Sequence, residues 1–246
     1  MRWIVFCASL ALMLAPMSAC AEDALDEARR AYAAARFDEA ARALESVLAE
    51  EGASVDVLVD LGTARLTEGK LALAIVAFER ARRLAPHDAG ALEGLERARA
   101  EAGVETPVET PLEQAASLWP AQAWLRAGLV GTLAFCALAL LAGVLPRART
   151  LATIVGVPSA LTVAASAAAL WVGTVGVDRA VVLEAELAGH VAPTEASEVL
   201  FALRSGELVR VEQAYGDHVR VRRGSGARAW VLRRGVEPIV PGALPR

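Results

Sequence analysis

The sequence predicts a multidomain membrane protein built from all-α helical repeats, a two-helix transmembrane hairpin and a small all-β barrel. Three observations predict it. Two apolar runs, Gly128 to Leu145 and Leu151 to Val177, are separated only by Pro146 to Thr150. The 18 uncharged residues of the first run would rise about 27 Å as a helix, close to the hydrocarbon thickness of a bilayer. Before these runs apolar residues recur with a helical period, and after them several short segments alternate with a period of two.

Charge and cysteine usage set the first limits. Of 246 residues, 55% are hydrophobic, and the net charge is -4. Glu22 to Pro120 carries 20 acidic and 11 basic residues, whereas Arg179 to Arg246 carries 8 and 10. An acidic region and a mildly basic one therefore flank the apolar hairpin, and neither has the concentrated basic face of a nucleic-acid-binding domain. Cys7, Cys20 and Cys136 lie in the leader, at its end and in the first apolar run. His87, His190 and His218 are isolated in sequence. No disulfide framework, zinc site or cofactor is expected.

Residues 1–21 read as a signal peptide: Met1-Arg2 is the positive start, Trp3 to Leu14 the apolar core and Pro16 to Ala21 the small-residue exit. Two processing readings stand. Ala19-Cys20-Ala21 fits cleavage before Glu22, and Met17-Ser18-Ala19-Cys20 resembles a bacterial lipobox that would make Cys20 a lipidated N-terminus. Ordinary cleavage is favoured, because a chain with two spans has little need of a lipid anchor.

Residues 22–103 show a 34-residue period. Ala35, Phe37, Ala40, Leu44 and Val47 recur as Gly69, Leu71, Ala74, Phe78 and Ala81. The segment from Leu58 through Leu61-Gly62, Gly69, Ala74 and Phe78 to Pro86 resembles a tetratricopeptide (TPR) repeat, with Arg65 where that pattern usually has an aromatic. Gly62 and Ala74 are small where paired helices cross, Gly69 turns the chain and Pro86 ends the second helix. Asp23 to Glu51 reads as a degenerate first repeat and Ala89 to Gly103 as a third first-helix or cap. Solenoids of this kind bind partners, and Arg29, Tyr32, Arg36 and Arg65 are the candidate partner-binding residues on the first helices. Their cations suit an acidic or carboxylate-bearing peptide, although a solvated arginine face is the commoner arrangement. Residues 104–120, with a repeated Val-Glu-Thr-Pro unit, read as a stiffened linker.

The spans are expected over 121–145 and 151–177, joined by a cytoplasmic turn at 146–150. Arg147 and Arg149 in that turn agree with the positive-inside rule, and export of the leader predicts the same topology. The chain would sit in the bacterial inner membrane with both flanking regions periplasmic. Trp119 and Trp124 are interfacial anchors and Arg126 is close enough to the outer surface to snorkel. Gly128, Gly131 and Gly156 are candidates for close helix approach, and Pro158 for a kink. The spans contain no Asp, Glu, Lys or His, so no ion or proton path is expected.

Residues 178–246 give five short strands: Val181-Val182, Val199 to Leu203, Leu208 to Val211, Val219 to Val221 and Trp230 to Leu232. Tyr215-Gly216-Asp217 is the clearest turn. Phe201, Val211, Val221, Trp230 and Ile239 form the expected core. The order, with Ala229-Trp230-Val231 followed by Val236-Glu237-Pro238-Ile239, resembles a bacterial SH3 domain, here with Ala229 where the family commonly has Gly. Arg220, Arg222, Arg223, Arg233 and Arg234 are the candidate basic edge toward anionic wall polymer or lipid, against the simpler reading that they are the polar half of alternating strands.

Leader, TPRs, two-span hairpin and SH3-like domain, in that order, resemble the BatE-type proteins of bacterial aerotolerance (Bat) operons. The resemblance rests on architecture. It implies a scaffold in an aerotolerance or envelope-stress complex, with von Willebrand A domain proteins and a MoxR-type ATPase as partners. From the residues themselves the expectation is a membrane-anchored interaction protein and not an enzyme, since no GxSxG, P-loop, HExxH or dinucleotide fingerprint occurs. The alternative is a protein that binds or senses peptidoglycan through the SH3-like domain.

Overall fold

The 34-residue period becomes visible in the backbone as three equivalent turns. In the computed structural model, which describes residues 15–105, 111–116, 118–144, 149–175 and 178–242, five of the described helices lie before residue 105. They are α1 (Ala15–Ala33), α2 (Phe37–Glu51), α3 (Val55–Thr67), α4 (Leu71–Leu84) and α5 (Ala89–Ala102). Ala35, Gly69 and Gly103, each 34 residues apart, all have positive φ, at 56°, 84° and 64°. Their hydrogen bonds repeat as well: Arg36 N–H donates to Ala31 O, Lys70 to Arg65 O and Val104 to Arg99 O, at 2.9, 2.9 and 3.1 Å. Each is the long bond that closes a helix C-terminus with one left-handed residue. Gly supplies that conformation without strain in two of the three turns, and Ala35 adopts it with a Cβ. Ala35→Gly is therefore expected to raise stability by about 0.5–1 kcal/mol, read as a shift in the urea midpoint with unchanged slope.

Consecutive helices pack on one another, and α3 also touches α5, so the first helices of successive hairpins stack. One core joins the first two hairpins through Ala28, Ala41, Leu44, Val47, Val57, Leu61, Ala64 and Ala77. Phe78 fills the next gap, its ring 2.7 Å from where a Cβ on Gly62 would stand and closer still to that of Gly94. Asp88 caps α5 by accepting from Ala91 N–H at 2.8 Å. The expected boundary at residue 21/22 coincides with no break, because the backbone from Ala15 is already helical and continuous with α1. Alanine and methionine sustain a helix there. The leader's start and apolar core, residues 106–110 of the Val-Glu-Thr-Pro unit, the Cys20 side chain, and Arg147 in the turn lie outside the described residues.

The described residues between α5 and the apolar pair make specific contacts. Val104 packs against the helical core, α6 (Pro111–Ala116) forms a short helix beside the second apolar helix, and Leu118 O accepts from His87 Nε2 at 2.9 Å. The apolar helices α7 (Ala121–Val144) and α8 (Arg149–Val175) form a close pair. Both are long and apolar enough to cross a membrane, and only 6% and 11% of their most apolar windows are buried. A core helix of a soluble protein would be mostly covered. Gly128 faces Ser166 and Gly131 faces Ser159 and Val163, at 3.1–3.3 Å from an added Cβ, so these glycines set the helix separation. Gly156, also expected at the seam, has no neighbour within 4 Å of such a Cβ. Pro158 lies inside α8. The Trp119 and Trp124 rings are in tilted contact, centroids 4.9 Å apart, and Trp124 Nε1–H donates to Ala116 O at 2.9 Å.

The C-terminal region is one antiparallel sheet of seven strands, ordered β3-β2-β6-β5-β4-β1-β7, and not the closed barrel expected. The strands are β1 (Arg179–Val182), β2 (Glu186–His190), β3 (Val199–Arg204), β4 (Leu208–Tyr215), β5 (His218–Arg222), β6 (Arg228–Leu232) and β7 (Val236–Pro238). β3 and β7 form the two edges, with no pairing between them to close the sheet. Its inner core is Val182, Leu203, Val209, Val211, Val219, Val221, Val231 and their neighbours. Of the expected core, Val211 and Val221 lie there, Phe201 flanks it and Trp230 is half-buried on the opposite side.

Ile239 belongs instead to a second interface. Together with Val181 it packs on Ile75, Val76 and Phe78 of the helical stack, one continuous core shared by the two regions. Gly206, at φ 84°, turns β3 into β4 within 2.9 Å (from an ideal Cβ) of the Ile75 side chain. Arg80 of α4 fastens the seam by donating to Ile239 O at 2.9 Å, Pro238 O at 2.8 Å and Glu237 at 2.7 Å.

Candidate functional site

Three helices leave a groove between them at the start of the stack. It has a volume of about 330 Å³ and is lined by Leu25, Ala28, Arg29 and Tyr32 of α1, Ala40 and Leu44 of α2, and Asp60 and Thr63 of α3. The walls are apolar because α1 and α2 supply mainly Ala and Leu at this crossing, while the charged groups stand at its margin. Tyr32 is held by an edge-on contact with Phe37, ring centroids 5.1 Å apart. Arg29 pairs with Asp26 at 2.9 Å, but both side chains are well exposed, so this ion pair is weak and easily exchanged for another carboxylate.

Asp60 is the residue that reading the sequence missed. Burial of its carboxyl and then the nearby Asp56 charge push its proton affinity above the ordinary aspartate value, and Arg29 acts in the opposite direction. A carboxyl whose folded-state pKa is raised contributes stability below its unfolded pKa and loses it as pH rises through the folded value. Asp60→Asn should accordingly be more stable than the parent at neutral pH, by under about 1 kcal/mol given solvent screening. The margin should disappear as pH falls through the raised pKa, measured by urea unfolding at a series of pH values. The i, i+4 spacing of Asp56 and Asp60 was the available signal, since it sets like charges on one helix face.

The other expected residues divide. Arg36 is exposed and paired with Glu39 at 2.6 Å, outside the groove lining. Arg65, expected on a partner-facing surface, is 7% exposed and committed internally: it donates to Glu45 at 2.7 Å and Glu68 at 2.9 Å, with Asp38 at 3.7 Å. These carboxylates raise its proton affinity against the opposing effect of burial. Its role is to join α2 to α3. The next repeat contains the same pair 34 residues later, Arg99 on the buried Glu79, with Arg82 also on Glu79 at 3.1 Å.

The expected basic edge is likewise partly consumed. Arg223 makes two bonds to Glu207, at 2.6 and 3.0 Å, and lies over the Phe201 ring at 5.2 Å. Arg220 and Arg222 share Glu212 with Arg228, at 3.5, 3.0 and 3.1 Å. Arg233 and Arg234 lie on the short 3₁₀ turn after β6, with Arg234 exposed. Among the described residues no group of three His, Cys, Asp or Glu side chains is placed to hold a metal ion. No protein-family model, curated protein or solved structure matches the chain.

Proposed function

We propose that the protein is a membrane-anchored interaction scaffold whose TPR-like helical stack recruits a segment of another envelope protein. The observation that carries this reading is the groove of α1, α2 and α3: an apolar slot with Arg29 and Asp60 at its margin, lined in part by first-helix residues of the kind solenoids use to take ligands. Its chemistry suits an apolar side chain flanked by a carboxylate that replaces Asp26 on Arg29. The paired apolar helices hold the stack and the SH3-like sheet at the bilayer, with both regions periplasmic. The order of its parts resembles that of the BatE-type proteins, and on the strength of that resemblance von Willebrand A domain proteins and a MoxR-type ATPase complex are the partners to test.

A photo-crosslinking residue in place of Tyr32, in cells, should capture an envelope protein, and the adduct should be lost when Arg29 is changed to Glu. Capture that is unchanged by Arg29→Glu counts against the groove. Reporter fusions after Pro120, Arg149 and Arg246 should read outside, inside, outside, and any other order removes the topology. The second reading, a peptidoglycan binder acting through the sheet, is favoured by the exposed Arg234 and Arg228. Cosedimentation of the detergent-solubilised chain with purified wall distinguishes it.

A further inference from the structure

Four arginines stand directly opposite one another on four adjacent strands. Arg179 of β1 pairs in register with Arg210 of β4, Arg210 with Arg222 of β5, and Arg222 with Arg228 of β6. Cross-strand neighbours project from the same face, and neighbouring strands lie about 4.8 Å apart, so the row extends about 14 Å. Like charges placed opposite one another in a sheet destabilise it. A face shaped only for stability would alternate sign along such a row. Here a single carboxylate, Glu212, serves Arg222, Arg228 and the adjacent Arg220 together, which leaves these four side chains with a net charge of +2. Arg83 of α4 adds to the same field: burial and then the charge of Arg179 hold its proton affinity below the ordinary arginine value.

The row's position is as informative as its charge. α8 ends at Val175 and the row begins at Arg179. Four residues of chain reach at most about 14 Å, so Arg179 lies within that distance of the end of an apolar helix. Trp230, directly opposite Arg220 and 5.9 Å from its guanidinium, adds an amphipathic ring to the face, a residue type favoured at bilayer surfaces. The far end is the open one, with the Arg228 side chain 60% exposed.

We infer that Arg220, Arg222 and Arg228, on this face, dock on the phosphates of anionic phospholipid headgroups beside the hairpin. Planar guanidinium groups take phosphate oxygens two at a time, and a row extending from a span presents them where headgroups are concentrated. This rests on the membrane reading of α7 and α8, but it adds a second attachment that fixes the sheet, and the helical stack packed on it, against the bilayer surface. The groove of α1 to α3 would then be held at a constant orientation instead of swinging on the hairpin.

The test uses the full chain reconstituted in phosphatidylcholine vesicles with or without phosphatidylglycerol. Flotation reports membrane insertion, and amide hydrogen exchange over residues 208–232 reports docking. With phosphatidylglycerol, exchange is expected to slow by about fivefold for each arginine engaged, and high salt should abolish the difference. The variant with Arg220, Arg222 and Arg228 changed to Gln should exchange alike in both lipids, whereas the same three changed to Lys should keep part of the difference. If the Gln variant does not fold, the salt series on the parent chain and the Lys variant still decide. Equal exchange in both lipids by a chain that floats overturns the inference and leaves the membrane reading intact. A chain that does not float overturns both. Inorganic phosphate reproducing the protection in phosphatidylcholine alone would assign the row to a soluble anion and overturn lipid docking.

Discussion

Replacing Phe78 with alanine is expected to lower the unfolding free energy by about 3–5 kcal/mol. The ring is 1% exposed and lies between Gly62 of α3 and Gly94 of α5, so its removal empties the contact of three helices at once. The same packing predicts a reciprocal effect. Gly94→Ala would place a methyl group inside the space of the ring and should cost about 1–3 kcal/mol through overpacking. In the Phe78→Ala background that overlap is gone, and Gly94→Ala should become neutral or stabilising, because alanine is the better helix former by about 1 kcal/mol. Urea unfolding of the two single variants and the double variant measures this coupling. Additive losses would show that the ring and the glycine do not share one space.

Glu79→Ala should cost a similar amount, about 3–5 kcal/mol, for a different reason. Glu79 is 1% exposed and accepts from both Arg99 and Arg82, so its loss deprives a buried guanidinium of its carboxylate. Glu45→Ala, the equivalent change one repeat earlier, should cost far less, since the Glu45 side chain is 48% exposed and Arg65 retains Glu68. Chemical denaturation of both variants at low and high salt checks the contrast: the Glu45 effect should shrink with salt and the Glu79 effect should persist. Equal losses at the two sites would mean that burial does not separate them.

These residues also show where local pattern is informative and where it is not. The five matched positions of the 34-residue period identified the helix hairpins, because a repeated backbone turn needs a small or left-handed-tolerant residue at a fixed interval. Glu45 and Glu79, like Arg65 and Arg99, carry the same interval. Read together they would have marked Arg65 as a pairing residue, but read alone Arg65 looked like a free cation on a lining helix. The β2 segment escaped notice for a related reason. Gly189 interrupts its alternation, yet that glycine is required because a Cβ there would come within 2.7 Å of the Ala229 methyl. A strand chosen for close approach does not look like one chosen for propensity.

Of the candidate groove, Arg29 and Tyr32 were legible from their place on a first helix. Asp60 was not, because its significance comes from sharing the groove with Arg29 and Tyr32 of another helix. The arginine row had the same obstacle: its members are scattered from position 179 to position 228, and only strand register brings them opposite one another.

By itself the sequence determined what depends on period and length: helical hairpins spaced by 34 residues, two helices long and apolar enough to cross a bilayer, and a strand-rich end. Tertiary structure alone decided three further things. It left the sheet open, it packed Val181 and Ile239 onto Ile75 with Arg80 as the clamp, and it aligned four arginines across the sheet. The physical reason is range. Periodicity reports which face of an element is apolar, whereas the element that will cover that face can be about 160 residues away, as Ile239 is from Arg80, and no local pattern encodes it.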